Sequence, residues 1–447
     1  MNRNLAAAVT VTLVASLGAC TAGASPSPRT DSPRTDCVRI VDPATGGKTD
    51  RCLPLAPEKD RVDTSKPVFT HPTRITNPLH PSSEVQQVVY GGQVDGKPFR
   101  TEFSLLPHDG RTIALSDGER VAVRTLQYAA FSDGRIKEVA LDWFAQADDG
   151  AVWYLGEDVF NYEDGVVADT EGTWMAGRDG APPAMIMPAQ PSTGDVYRPE
   201  NVPEVVFEEV TVKAVDQQVA GPYGPVKGAM TVNELHMDGS REEKVFAPGY
   251  GEFSTGSPGG DLEAVSLAVP TDATPGPVPE RLTALSDAVR AGAASEGAVQ
   301  NMRAAWDAYR TSDRVPELLT RQMNRDLDSL AGAVKARDAE LTRGALLRVA
   351  QNDLDLHLRY EPLSSVESAR MDLWARQLTA DARAADEGAV AGDVTALELT
   401  WSRARPDTPP ADAERIDTLL RTLRAAADRQ DTAAAAHWAP ALLGALR

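Results

Sequence analysis

Eight Asp-Gly pairs fall between residues 95 and 239, at Asp95-Gly96, Asp109-Gly110, Asp117-Gly118, Asp133-Gly134, Asp149-Gly150, Asp164-Gly165, Asp179-Gly180 and Asp238-Gly239. Both residues tolerate positive φ, so an Asp-Gly pair between extended runs favours the type I′ turn, whose twist matches that of paired strands. The runs beside them, such as residues 120–128, 136–144, 152–159 and 205–215, are rich in β-branched and aromatic residues. Residues 75–270 therefore read as an antiparallel β meander. Pattern alone leaves a barrel, a sandwich and a sheet curved round one cavity all open; a curved sheet or sandwich is the expectation.

Beyond residue 270 the composition changes. Residues 271–278 carry the Pro and Gly of a linker, and residues 279–447 are rich in Ala, Leu, Arg and Asp at helical spacing. Met302, Trp306 and Tyr309 form one apolar stripe; Met371, Trp374 and Leu378 form a second, and Val394, Leu397 and Trp401 a third. Pro279, Pro316 and Pro362 sit where helices begin. Leu330, Leu378 and Leu420 each precede an aspartate (Asp338, Asp386, Asp428) by eight residues, which reads as helix, acidic turn, helix, repeated. The fold class expected is thus α+β and multidomain: the meander followed by an all-α bundle of helical hairpins.

The N-terminal segment places the chain. Arg3, an apolar run over residues 5–16 and Leu17-Gly18-Ala19-Cys20 read as a lipoprotein signal over residues 1–19, with Cys20 as the lipidated residue carrying palmitate-type chains. Residues 20–36 read as a disordered tether. Residues 37–74 begin with Cys37 and Cys52, which in an exported chain are expected to form a disulfide closing a small loop. The expected location is the cell membrane, lipid-anchored at its extracytoplasmic face. With 45 Lys and Arg against 65 Asp and Glu, the net charge of −20 argues against nucleic acid as a partner and against docking on anionic lipid through a basic patch. The expected partners are the membrane, through the anchor, and an envelope protein or glycan.

Several blocks carry a resemblance. Ile75-Thr76-Asn77-Pro78-Leu79, the run from Asp142 through Trp143 to Gln146, the run from Val152 through Trp153 and Tyr154 to Asp158, Glu171-Gly172-Thr173-Trp174, and Ala247-Pro248-Gly249-Tyr250-Gly251 resemble, in this order, the recurring blocks of a group of uncharacterised exported lipoproteins of actinobacterial type. They span less than half of the chain. The resemblance implies an architecture and no catalytic residue.

The same blocks supply the candidate ligand residues Trp143, Trp153, Tyr154, Glu157, Asp158 and Trp174, an aromatic floor with acids at its rim. The competing interpretation puts the rings in the core and the acids at turns. Met185 and Met187 on one strand face, with His236-Met237, offer soft copper ligands or simple packing. Asp353 and His357 lie one helical turn apart, as a ligand pair or an i, i+4 charge pair. No nucleophile motif such as Gly-x-Ser-x-Gly occurs. No catalytic residue, metal ligand or cofactor is therefore assigned, and the sequence leans away from an enzyme. The function expected is a lipid-anchored, non-catalytic binding or scaffolding module. The alternatives are a ligand or metal-ion carrier using the aromatic and acidic β domain, and a glycan-acting hydrolase dependent on Glu157 or Asp158. Acids converging in a deep cleft with shifted pKa values would count against the non-catalytic interpretation.

Overall fold

The computed structural model describes residues 37–203, 205–256, 260–292 and 295–446. Cys20 and the tether lie outside them. The chain enters as a hairpin of β1 (Arg39–Val41) and β2 (Lys48–Cys52), which the Cys37–Cys52 disulfide closes at a Cα–Cα distance of 5.2 Å. Val38 and Leu53 of this hairpin pack on Phe207 and Leu235.

The meander follows. Its strands are β3 (Gln87–Val94), β4 (Lys97–Leu105), the separate small hairpin β5 (Thr112–Ala114) and β6 (Arg120–Ala122), then β7 (Arg124–Ser132), β8 (Arg135–Gln146), β9 (Val152–Glu163) and β10 (Val166–Asp169). The chain crosses over through β11 (Trp174–Met175) and β12 (Ala184–Met187) to β13 (Val196–Val202). It returns as β14 (Val206–Gly221), β15 (Gly224–His236), β16 (Arg241–Ala247), β17 (Gly251–Gly256) and β18 (Leu262–Val269). Because β18 pairs with β3, the two meanders fuse into one antiparallel sheet of 14 strands among the described residues, ordered β10-β9-β8-β7-β4-β3-β18-β17-β16-β15-β14-β13, with β11 and β12 attached to β9. β12 also packs beside β13, so the two ends of the order approach each other and the sheet encloses a concave face. A single curved sheet forms, not a sandwich.

Eight helices follow among the described residues: α1 (Glu280–Ala291), α2 (Glu296–Arg310), α3 (Glu317–Ala336), α4 (Ala339–His357), α5 (Leu363–Arg383), α6 (Glu387–Ala404), α7 (Pro410–Ala427) and α8 (Thr432–Ala445). Their starts alternate. Pro279, Pro316, Pro362 and Pro409 precede the odd-numbered helices, while the side chains of Ser295, Asp338, Asp386 and Asp431 accept the N–H of Ala298, Leu341, Ala389 and Ala434 at the even-numbered ones. Four helical hairpins result. Asp428 ends α7 instead of opening α8, so the third aspartate of the sequence repeat is displaced by Asp431.

The helices cover the outer face of the sheet, with α3 on β3 and β18 and α6 on β8 and β10. Ala129, Phe131, Ile136 and Val139 join the core of α5 to α8, and Val89, Leu267 and Val269 join that of the earlier helices. Between these apolar zones lies a buried charge network. Arg100 bonds Asp355 at 2.6 Å and Glu102 at 2.8 Å, Arg370 bonds Asp355 and Glu367 at 2.9 Å, and Arg403 bonds Glu102 and Glu367 at 2.8 Å. Three guanidiniums thus neutralise three carboxylates across β4, α4, α5 and α6.

Candidate functional site

Strand alternation sorts the side chains of the sheet. On β8, Glu138, Ala140, Asp142 and Phe144 share one face, and the register carries that face to Tyr128 and Leu126 on β7, Thr101 and Phe103 on β4, and Tyr90 and Val88 on β3. On the other half it holds Glu263 of β18, Lys244 of β16, Glu234 of β15 and Glu208 of β14. This face is the concave one. It lines a cavity of about 260 Å³, whose apolar wall includes Val88, Phe103, Leu126, Phe144, Tyr154 and Phe246. Its polar wall sets four carboxyl groups, Asp142, Glu200, Glu208 and Glu252, against one ammonium, Lys244, with His80 and Ser82 at another side.

Burial governs the electrostatics here. Desolvation raises the Asp142 carboxyl although Tyr154 Oη donates to Asp142 Oδ1 at 2.7 Å. Glu157 is raised by burial and then by the Asp142 charge. Glu200 is raised well above the usual range by burial and by Glu157, with which it shares a hydrogen bond. That bond joins β9 to β13 across the closure of the sheet, and a carboxyl–carboxylate bond requires a proton on one partner. Glu234 is pushed up to about 8 by burial and then by the Glu208 charge, against Lys244. Glu263 is pushed up to about 7 by burial. Burial lowers His80 to about 4. Acids that hold protons near neutrality therefore converge on one enclosed face.

The candidate residues of the sequence are divided by the same alternation. Tyr154 lines the cavity, and Glu157 stands on its face opposite Asp142. Asp158 pairs with Leu141 on the outer face, so Glu157 and Asp158 point apart and do not form a catalytic carboxylate pair. Trp143 and Trp153 alternate with Phe144 and Tyr154 and are buried on the other side, where the Arg111 guanidinium lies 3.7 Å from the Trp143 ring centroid. Trp174 is buried edge-on to Tyr154, with ring centroids 5.4 Å apart, and is not among the cavity residues. Glu200, Glu208, Glu234, Lys244, Glu252 and Glu263 were not singled out from sequence. Their signal is a single charged residue at an alternate position of a strand, as Glu234 is between Val232 and His236, which also describes an exposed face.

Other clusters resolve as packing. Met185 and Met187 sit in the apolar core, and Met237 packs against the disulfide hairpin, away from His236. His357 Nε2 lies 2.8 Å from Ser286 Oγ and its Nδ1 meets Glu361, in the arrangement of a Ser-His-acid triad. Ser286, however, is 3% exposed, and its hydroxyl also bonds Leu282 O and Asp353. That hydroxyl is closed to a substrate, and the cluster ties α1 to α4. Among the described residues no helix is long and apolar enough to cross a membrane. No protein-family model matches the chain, and no curated protein matches it.

Proposed function

We propose that this protein is a lipid-anchored binding protein of the cell envelope, held at the extracytoplasmic face through Cys20, whose curved sheet takes a cationic ligand in its concave cavity. One observation carries this reading: among the described residues, four carboxyl groups and one ammonium line a half-open cavity whose remaining wall is mostly aromatic and aliphatic. Like charges removed from water are costly, and protons or an opposite charge must compensate them. A cation entering the cavity replaces those protons, and Phe103, Phe144, Tyr154 and Phe246 give it an apolar and π-rich surround. The carrier reading is preferred to the scaffold because one buried acid, Asp142, and three half-buried ones, Glu200, Glu208 and Glu252, converge on one cavity, which scaffolding does not require. It is preferred to the glycan hydrolase because Asp158 stands on the outer face and Glu157, although beside Asp142 and Glu200, is not among the residues that line the cavity. The likeness to exported lipoproteins, the disulfide and the acidic body agree with such a location.

The test is a thermal-shift screen of the full chain against divalent metal ions and organic amines. A bound ligand at 100 times its Kd stabilises by about 2.7 kcal/mol. A melting temperature that stays flat across both sets overturns the reading. The anchor is tested separately: Cys20→Ala should move the protein from the membrane fraction to the medium, and retention at the membrane would refute it.

A further inference from the structure

Within that acidic face, one group has the composition of a metal site. Glu208 and His236 are direct cross-strand partners on β14 and β15, and Glu234 precedes His236 by two residues on the same face. Ligand atoms of the three lie within 4.8 Å of one another. We propose that Glu208, Glu234 and His236 bind a divalent transition-metal ion of the zinc class. The inference rests on the cationic-ligand reading and specifies its first cation.

The donor set decides the ion. One imidazole nitrogen and two carboxylate oxygens suit Zn²⁺ and related borderline ions, whereas Ca²⁺ and Mg²⁺ favour all-oxygen shells. His236 is already oriented for ligation. Its Nδ1 lies 3.2 Å from Glu208 Oε1 and its Nε2 lies 3.8 Å from Glu242 Oε2. Ligation through Nδ1 leaves Nε2–H facing a carboxylate, the usual outer partner of a metal-bound histidine.

An independent observation comes from β13. Tyr197 is 1% exposed, yet its hydroxyl has no hydrogen-bond partner, and the charges acting on it most strongly are those of Glu234 and Lys244. Tyr197 lies opposite Val210, which lies opposite Glu234, so its ring projects on the face that holds the three ligands. A buried hydroxyl left unpaired is destabilising and calls for a partner. A water carried by an ion on these three residues would offer that hydroxyl a partner.

Lys244 completes the arrangement. Its Nζ lies 2.6 Å from Glu234 Oε2 and 4.0 Å from Glu252 Oε2. The ammonium thus occupies the charge position of the metal and has a second carboxylate to which it moves when an ion binds Glu234. Both Glu208 and Lys244 line the cavity, which provides the entry path.

The experiment is titration of the metal-stripped full chain with Zn²⁺, Mn²⁺, Ca²⁺ and Mg²⁺ by calorimetry and by competition with a chromophoric chelator. One equivalent of Zn²⁺ is expected to bind more tightly than Ca²⁺ or Mg²⁺. His236→Gln should weaken it by at least about tenfold in a metal-free variant that still unfolds in one cooperative transition. Lys244→Met removes the competing ammonium and should tighten Zn²⁺, an effect that a merely structural lysine would not produce. Absence of stoichiometric Zn²⁺ binding, or equal affinity in wild type and His236→Gln, overturns the proposal. If organic amines stabilise the chain and metal ions do not, the metal site falls and the cationic-ligand reading stands; if neither binds, both fall.

Discussion

At the scale of single residues, the Asp-Gly pairs perform two jobs that one dipeptide conceals. At 95–96, 133–134, 164–165 and 179–180 both residues have positive φ, as a type I′ turn requires. At 109–110, 117–118, 149–150 and 238–239 only the glycine does, and the aspartate carboxylate instead accepts the N–H two residues on, from Arg111, Glu119, Ala151 and Ser240. The dipeptide therefore marked each turn but not its geometry. The glycines also differ in what surrounds them. A Cβ on Gly165 would lie 1.9 Å from Gly388 O and 2.8 Å from Gly392 N on α6, whereas a Cβ on Gly180 meets nothing within 4 Å. Gly180→Ala should cost about 1–2 kcal/mol, the strain of a left-handed alanine alone. Gly165→Ala adds a backbone collision between sheet and helix and should cost about 3 kcal/mol or more. Urea unfolding of the two variants checks this; equal midpoints would mean that the turn and α6 do not touch as described.

At the scale of elements, the sequence showed the helices more clearly than the way they meet the sheet. Pro279, Pro316 and Pro362 each stand immediately before a helix, because a residue without an N–H costs least where the N–H has no intrahelical partner. The repeat was misaligned in its last copy. Arg337, Ala385 and Gln430 all have positive φ, and each is followed at once by a capping aspartate, so Asp431 and not Asp428 corresponds to Asp338 and Asp386. Fully buried Leu423 then takes the place assigned to Leu420, eight residues before the cap. What no periodicity displayed was the network of Arg100, Arg370 and Arg403 with Glu102, Asp355 and Glu367, since charged residues on β4 and on three helices read locally as solvated positions. Burial alone would raise the Glu102 carboxyl, but Arg370, Arg100 and Arg403 override it and hold it well below the usual carboxylate range. Arg370→Met should destabilise the protein by about 3–5 kcal/mol, because it leaves three buried carboxylates to share two guanidiniums, Arg100 and Arg403. The exposed pair of Arg321 with Glu317 serves as the control, and Arg321→Ala should stay within about 0.5 kcal/mol. Similar losses in the two variants would show that the network is not closed to water.

At the scale of the whole molecule, the cavity depends on a closure that lies beyond the reach of local pattern. Asp142 and Glu157 sit near the start of the sheet order and Glu200 at its end, so their meeting requires β12 to bring β9 and β13 together. Read locally, these acids belong to exposed strand faces; enclosed, they titrate together. The consequence is an unusual pH dependence with a definite sign. Asp142, Glu157, Glu200 and Glu263 are all raised in the folded chain, with Glu263 at about 7, against roughly 4 when unfolded. Between these limits the folded state binds more protons than the unfolded one, so stability falls as pH rises. Glu102 contributes oppositely, with stability that is lost as pH falls below the unfolded carboxylate range. His80, lowered to about 4, works against the raised carboxyls between about pH 4 and 6.5, one group against four, so the metal-free protein should be most stable near pH 5 and lose stability toward pH 8. Asp142→Asn and Glu263→Gln keep an oxygen that can accept from Tyr154 and Thr101 while removing the titration. Each should flatten the decline and gain about 1–2 kcal/mol at pH 8. Denaturant midpoints measured from pH 4 to pH 8 check both claims; a wild-type curve that rises toward pH 8 would mean that water fills the concave face and the acids there ionise freely.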